Sequence, residues 1–297
     1  MSRSPSALAW ALLLLLGVIW GSSFMLTNIA VRDVPPMTLA ALRLVCAALF
    51  LLVVAFATGA RAPRRGVTWA VVVWAALLGT VLPFWLISWA QQHIPSAMTG
   101  LLMAPMPLLS LLLARIFLAG EPMEWPRIMG FAAGLGGVLL LVGPKALAGE
   151  ESDLALLGQL ASIGAMLLYT ATGIVLTRAG PTDPAGMAAA IMSLSALVSL
   201  PLAFLLEEPN LPEITFKSWA LIAALGLGAT ALAQILMLRI IALAGPPFFS
   251  TVNYQVPLWS AFFGAAILGE ALAPAFWAAL AMILAGLALA QWGARRR

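Results

Sequence analysis

Arg43 is a charge set well inside an apolar stretch, in Leu42-Arg43-Leu44 of a run that extends from 37 to 58. A guanidinium among apolar side chains is costly and points to function. It can attract a carboxylate, or pair with Glu270 or Asp33 in a gate; its long side chain can also simply reach a polar surface. Glu121 and Glu270 each follow a glycine at the end of an apolar run. A carboxylate there serves as a gate latch, a proton site or a turn cap. No Asp or Glu falls in the middle of an apolar run, so the usual proton-carrying carboxylate of a pump is missing. Facilitated, gradient-driven movement is therefore expected at least as readily as proton antiport. His93, the single histidine, is either a pH sensor or a solvated surface residue.

Uncharged polar and aromatic residues add a second group. Asn253-Tyr254-Gln255 places three hydrogen-bonding side chains in an apolar run just before Pro257, which costs energy unless partners or cargo satisfy them. The matching stretch of the first half, Met103-Ala104-Pro105, offers an adaptable apolar wall. Gln234 and Asn28 are expected to complete a polar lining. Trp85, Ser88 and Gln92 share one helical face at i, i+3 and i+7. Trp20 and Tyr169 occupy equivalent depths in the two halves and, with Trp85, are expected to hold an apolar part of the cargo. Ordinary bundle core is the competing reading for these aromatics, and interhelical hydrogen bonding the competing one for the polar residues. Other tryptophans, such as Trp10, Trp125 and Trp277, lie near run ends as interface anchors.

Known enzymatic constellations do not fit. One His and one Cys cannot assemble a zinc site. No Gly-x-x-x-x-Gly-Lys loop, buried Asp pair or Ser/His pair at one depth is present. No catalytic residue, metal or cofactor is expected. The basic residues form no stripe with stacking aromatics, so nucleic acid is not an expected partner. A channel would call for charge rings or a carbonyl filter sequence.

The elements that position these residues follow from hydropathy. The chain is 63% hydrophobic and 9% charged, with a mean hydropathy of +1.05, so lipid must be part of its solvent. Cutting at charges, prolines and glycines predicts ten spans, near 7–30, 37–58, 68–91, 95–118, 126–144, 154–177, 186–206, 217–240, 247–268 and 274–293. The first is read as a membrane helix rather than a cleaved signal, because the apolar run continues to Ala30. Eleven of the fifteen basic residues fall on the side of the termini, against Arg32, Lys145 and Lys217 opposite, so both termini are expected in the cytoplasm.

The halves, 1–150 and 151–297, resemble each other. Pro107-Leu108-Leu109-Ser110 matches Pro257-Leu258-Trp259-Ser260, and Gly120-Glu121 matches Gly269-Glu270 one residue out of register. Pro36 with Ala40-Ala41 matches Pro184 with Ala188-Ala189. Five helices per half is an odd number, so the second copy enters the membrane inverted.

With Ile19-Trp20-Gly21-Ser22-Ser23-Phe24, Leu42-Arg43-Leu44, and the Pro-to-Gly-Glu segments 105–121 and 257–270, the chain resembles the drug/metabolite transporter superfamily in its ten-helix EamA-type branch. The resemblance implies a 5+5 inverted repeat, a bacterial-type inner-membrane location, and export of amino acids or related metabolites and drugs. Helix 7 carries Ile191 or Met192 where helix 2 carries Arg43, so any matching role in helix 7 is undefined. The expectation is an all-α polytopic secondary transporter, monomeric, with membrane lipid around it. Its central cavity would be lined by helices 1, 3, 4, 6, 8 and 9. A nucleotide-sugar or cationic multidrug carrier of the same superfamily is the alternative; the single cation Arg43 favours a neutral or zwitterionic cargo over a phosphorylated one.

Overall fold

The computed structural model describes residues 5–63, 66–117, 125–148, 152–180 and 182–295, and every regular element among them is helical. The elements are α1 (Ala7–Ala30), α2 (Pro36–Thr58), α3 (Thr68–Ala90), α4 (Ser96–Phe117), α5 (Trp125–Ala148), α6 (Asp153–Leu176), α7 (Pro184–Glu207), α8 (Phe216–Phe249), α9 (Val252–Ala266) and α10 (Pro274–Arg295). Nine helices among the described residues are long and apolar enough to cross a membrane. The tenth crossing, α9, has 15 residues and is extended by a short turn before it. The protein is a multi-pass membrane protein of two inverted five-helix repeats.

Capping explains where many helices start. Ser6 Oγ accepts from Ala9 N at 3.2 Å, Ser152 Oγ from Ala155 N at 3.2 Å, and Thr215 Oγ1 from Ser218 N at 3.2 Å. Each satisfies a backbone donor that the first helical turn leaves unpaired. Pro36 and Pro184 occupy first positions, where a missing N–H costs nothing. α2 ends at Gly59, whose φ of 65° is a left-handed cap.

The ninth span differs from expectation. Rather than one helix over 247–268, α8 runs past 240 to a break at Gly245 (φ 81°, ψ 165°), a single turn follows, and α9 begins only at Val252. Pro246 and Pro247 explain the break: neither can donate to the preceding turn, and a proline forces its predecessor out of helical conformation. In the first repeat α4 is likewise interrupted, at Ala104-Pro105.

Packing joins the repeats. The most extensive pairs are α5 with α10, α2 with α7, α1 with α9 and α3 with α6, each one helix from either half. Small residues permit the approach: a Cβ on Gly130 would collide with the Gly286 carbonyl, and one on Gly21 with Trp259. Gly226 packs on the Arg43 carbonyl and Cys46, whereas Gly228 faces open space and performs no such role.

The repeats also share an irregularity. Both third helices widen into π-helical stretches, Leu77–Val81 in α3 and Ala224–Leu232 in α8. Inside each, a threonine hydroxyl donates to the carbonyl five residues back: Thr80 to Ala75 and Thr230 to Leu225, both at 2.9 Å. Such bulges often accompany functional sites.

Candidate functional site

Arg43 lies seven residues into α2, roughly 10 Å from its start at 1.5 Å per residue. Its Nε donates to Thr230 Oγ1 of α8 at 2.8 Å, and its Cζ lies 4.0 Å from the centroid of the Phe84 ring of α3. Thr230 passes the bond on to the Leu225 carbonyl. Tyr169 of α6 is in electrostatic reach of the guanidinium and packs edge-on to Phe84, with centroids 6.5 Å apart. Four helices, two from each repeat, thus converge on one cation.

The carboxylates suggested for Arg43 are engaged elsewhere. Glu270 accepts from Ser96 N at 2.7 Å and Ala97 N at 3.0 Å, capping α4 across the repeat boundary. Asp33 accepts from Ser218 Oγ at 3.2 Å. Glu207, which the sequence did not single out, caps α2 in the same way: it accepts from Met37 N, Thr38 N and Thr38 Oγ1, each at 2.8 Å. Glu121 lies outside the described residues.

A second polar group gathers at the ends of α1 and α3. Asn28, Arg32, Gln91, Gln92, His93 and Glu270 line a cavity of about 430 Å³. Asn28 Nδ2 donates to the Gln91 carbonyl at 3.0 Å, and Arg32 Nη2 donates to Asn28 Oδ1 at 3.1 Å. Gln91 is 3% exposed, yet neither its Nε2 nor its Oε1 has a hydrogen-bond partner. The His93 ring stands 4.7 Å from that of Trp89. Asn28, Gln92, His93 and Glu270 therefore belong together at one face of the bundle, rather than Asn28 and Gln92 lining its centre. Arg32 and Gln91 were missed because charged and amide side chains at span ends are ordinarily solvated.

The expected polar triplet of α9 does not act as one surface. Consecutive helical residues point about 100° apart. Asn253 Nδ2 donates to the Ser250 carbonyl at 2.9 Å, bracing the break that precedes α9. Tyr254 packs against the core formed by α4, α5 and α10. Gln255 is pressed against α1, where a Cβ on Gly17 would lie 2.6 Å from its Oε1, an oxygen buried without a partner.

The aromatics also separate. Tyr169 joins the Arg43 cluster, and Trp85 packs beside Phe84 against Met37, Ala41 and Leu44. Trp20 instead meets Phe249 edge-on, with centroids 6.1 Å apart, in the core of α1, α8 and α9. Ser88 is buried, while Met103 and Gln234 are half-buried, Met103 just before the break in α4. Trp10, Trp125 and Trp277 are exposed near helix ends, as interface anchors are.

Known proteins resemble the chain along its length. An inner membrane transporter of Escherichia coli K12, YedA, whose name describes it as uncharacterized, is 26% identical over 285 residues, 93% of this chain and 88% of its own. A probable terminal-alkyne amino-acid exporter of Streptantibioticus cattleyicolor is 32% identical over 136 residues, 46% of this chain and 45% of its own. A crystal structure at 23% identity superposes with a TM-score of 0.70, covering 98% of this chain and 100% of that one, and so shares the fold. The EamA-like transporter family model matches twice, at residues 7–143 and 156–292. With both repeats matched and the inverted ten-helix bundle in place, the chain belongs to the EamA-like transporter family, within the drug/metabolite transporter superfamily.

Proposed function

We propose that this transporter exports amino acids and closely related small metabolites, and that Arg43 receives the cargo carboxylate. The carrying observation is that Arg43 sits between the repeats with a hydroxyl and an aromatic ring as neighbours and no pairing carboxylate among the described residues. An uncompensated cation inside a bilayer costs about 2.5–3.5 kcal/mol on insertion scales, so an anionic ligand group is favoured there. The geometry suits a planar carboxylate: Nε is held by Thr230, leaving the outer edge of the guanidinium fork to donate. Phe84, Tyr169 and Trp85 supply apolar and aromatic surface beside it for the cargo side chain. One cation matches one carboxylate, whereas the diphosphate of a nucleotide sugar calls for several. The probable terminal-alkyne amino-acid exporter that aligns with 46% of the chain supports the same substrate class.

Transport in this reading is alternating access in a monomer, with units 1–150 and 151–297 rocking to open a cavity between α1, α3, α4, α6, α8 and α9. The protein resides in a bacterial-type inner membrane with both termini cytoplasmic, so the Arg32 end of the bundle faces outward. Met103 and Gln234 flank the path, and Asn253 braces the break that precedes α9.

Uptake of a panel of labelled amino acids into proteoliposomes tests this. Saturable flux for some members is expected without an imposed pH gradient, falling at least about tenfold in Arg43→Gln through loss of a charge-assisted hydrogen bond. Undiminished flux in a folded Arg43→Gln protein would remove Arg43 from the site. No amino-acid flux at all would remove the substrate class.

A further inference from the structure

We infer that the cavity at the Arg32 face is a second binding site for the same cargo, selective for a zwitterion: Arg32 takes the α-carboxylate and Glu270 the α-ammonium. This rests on the amino-acid reading above and adds a station at the mouth of the path. Three observations converge on it.

First, charges of opposite sign line one cavity without pairing. Arg32 spends one donor, Nη2, on Asn28, and Glu270 accepts one backbone N–H at each oxygen. No ion pair joins them among the described residues, although both line the same space. Arg32 keeps further guanidinium donors, and each carboxylate oxygen keeps a lone pair.

Second, an unsatisfied polar group lies in the cavity wall. The Gln91 amide is 3% exposed with neither atom bonded, and an amide buried in this way costs free energy until a partner arrives. Its donor and acceptor are covered in this structure, so a side-chain rotation brings them to the cargo.

Third, the size and walls suit a small metabolite. The cavity is open to the surface with about 430 Å³ of space, enough to admit a small metabolite, and Val31, Ile94 and Pro95 contribute apolar wall beside the polar groups.

Simpler ions fit less well. An inorganic anion would meet the charge of Glu270, and a metal cation would meet Arg32 with a single carboxylate to hold it. A molecule carrying both charges is complementary to both residues. Arg43 lies roughly 10 Å along α2 from its start, the end of the helix that follows the Arg32 turn.

Equilibrium binding of labelled L-amino acids to the full chain in lipid nanodiscs decides the matter. The wild type is expected to bind two molecules per chain, Arg32→Gln one, Arg43→Gln one, and the double variant none. Arg32→Lys, which keeps the charge, is expected to retain the second molecule and so guards against misfolding of Arg32→Gln. Analogues of the bound amino acid that lack either the amine or the carboxylate are expected to lose the mouth site by at least tenfold. A single molecule per chain, lost in Arg43→Gln and untouched in Arg32→Gln, would overturn the mouth site and leave the amino-acid reading standing. Equal binding of the amine-free analogue at the Arg32 site would overturn its zwitterion selectivity. No binding of any amino acid by the wild type would overturn both readings.

Discussion

Arg43 Nε and Thr230 Oγ1 are joined across 2.8 Å, tying the second helix of one repeat to the π-helical stretch of the third helix of the other. Thr230 is at once an acceptor for Arg43 and a donor to Leu225, so the guanidinium is aimed by the backbone of α8 rather than left to swing.

Thr230→Val keeps the shape of the side chain and removes the acceptor. The charge remains while its aim is lost, so KM for the best amino-acid cargo is expected to rise at least about tenfold with kcat changed less, the scale of one hydrogen bond to a charged group. Proteoliposome kinetics at matched protein density measure this; an unchanged KM would show that the bond does not orient the cation.

Glu207→Gln and Glu270→Gln each weaken a cap that closes a helix start of the opposite repeat. Losing the charge while retaining one amide oxygen is expected to cost about 1–3 kcal/mol, read as a lower melting temperature in detergent. Glu207→Gln is expected to be the more damaging, because Glu207 accepts three hydrogen bonds against two for Glu270.

Asp183 responds to acid. The backbone N–H of Arg61, followed by those of Gly186 and Ala185, holds its carboxyl below the usual carboxylate range. A depressed folded value contributes stability at pH above the unfolded value of about 4, lost as pH falls through the folded value. Amide exchange at Arg61, Ala185 and Gly186 is therefore expected to accelerate below about pH 4 beyond the intrinsic rate. In Asp183→Asn this acid dependence is expected to vanish.

Gly130→Leu places a side chain against the Gly286 carbonyl, which is backbone and cannot yield as a side-chain tip does. Overpacking of this kind costs about 1–3 kcal/mol, so a lower melting temperature and a weakened α5–α10 pair are expected. Gly228→Leu, which meets open space, is the matched control and is expected to change little.

The bundle was legible in the sequence because a membrane helix is written in composition: about 20 apolar residues between charges suffice. The inverted repeat was legible from Pro107-Leu108-Leu109-Ser110 and its copy at 257–260. The break at Gly245 was the weak point, since two adjacent prolines end one helix and begin another with almost no polar spacer. Arg43 stood out because a lone charge in an apolar run has few meanings; its partner Thr230 did not, because threonine is tolerated anywhere in a membrane helix. Asn253-Tyr254-Gln255 misled by adjacency: neighbours in sequence diverge around a helix, whereas Asn28, Gln91 and Glu270 converge from three segments with no signature in sequence spacing.

Glu207 and Glu270 both belong to the second repeat and both close helix starts of the first, α2 and α4. Translation runs in the opposite order. When the first five helices have entered the bilayer, the residues that will satisfy Met37, Thr38, Ser96 and Ala97 have yet to be made, and interfacial water must stand in for them. The first repeat therefore matures only after α7 and then the α9–α10 connection arrive, which makes assembly of this transporter a process finished from its C-terminal half.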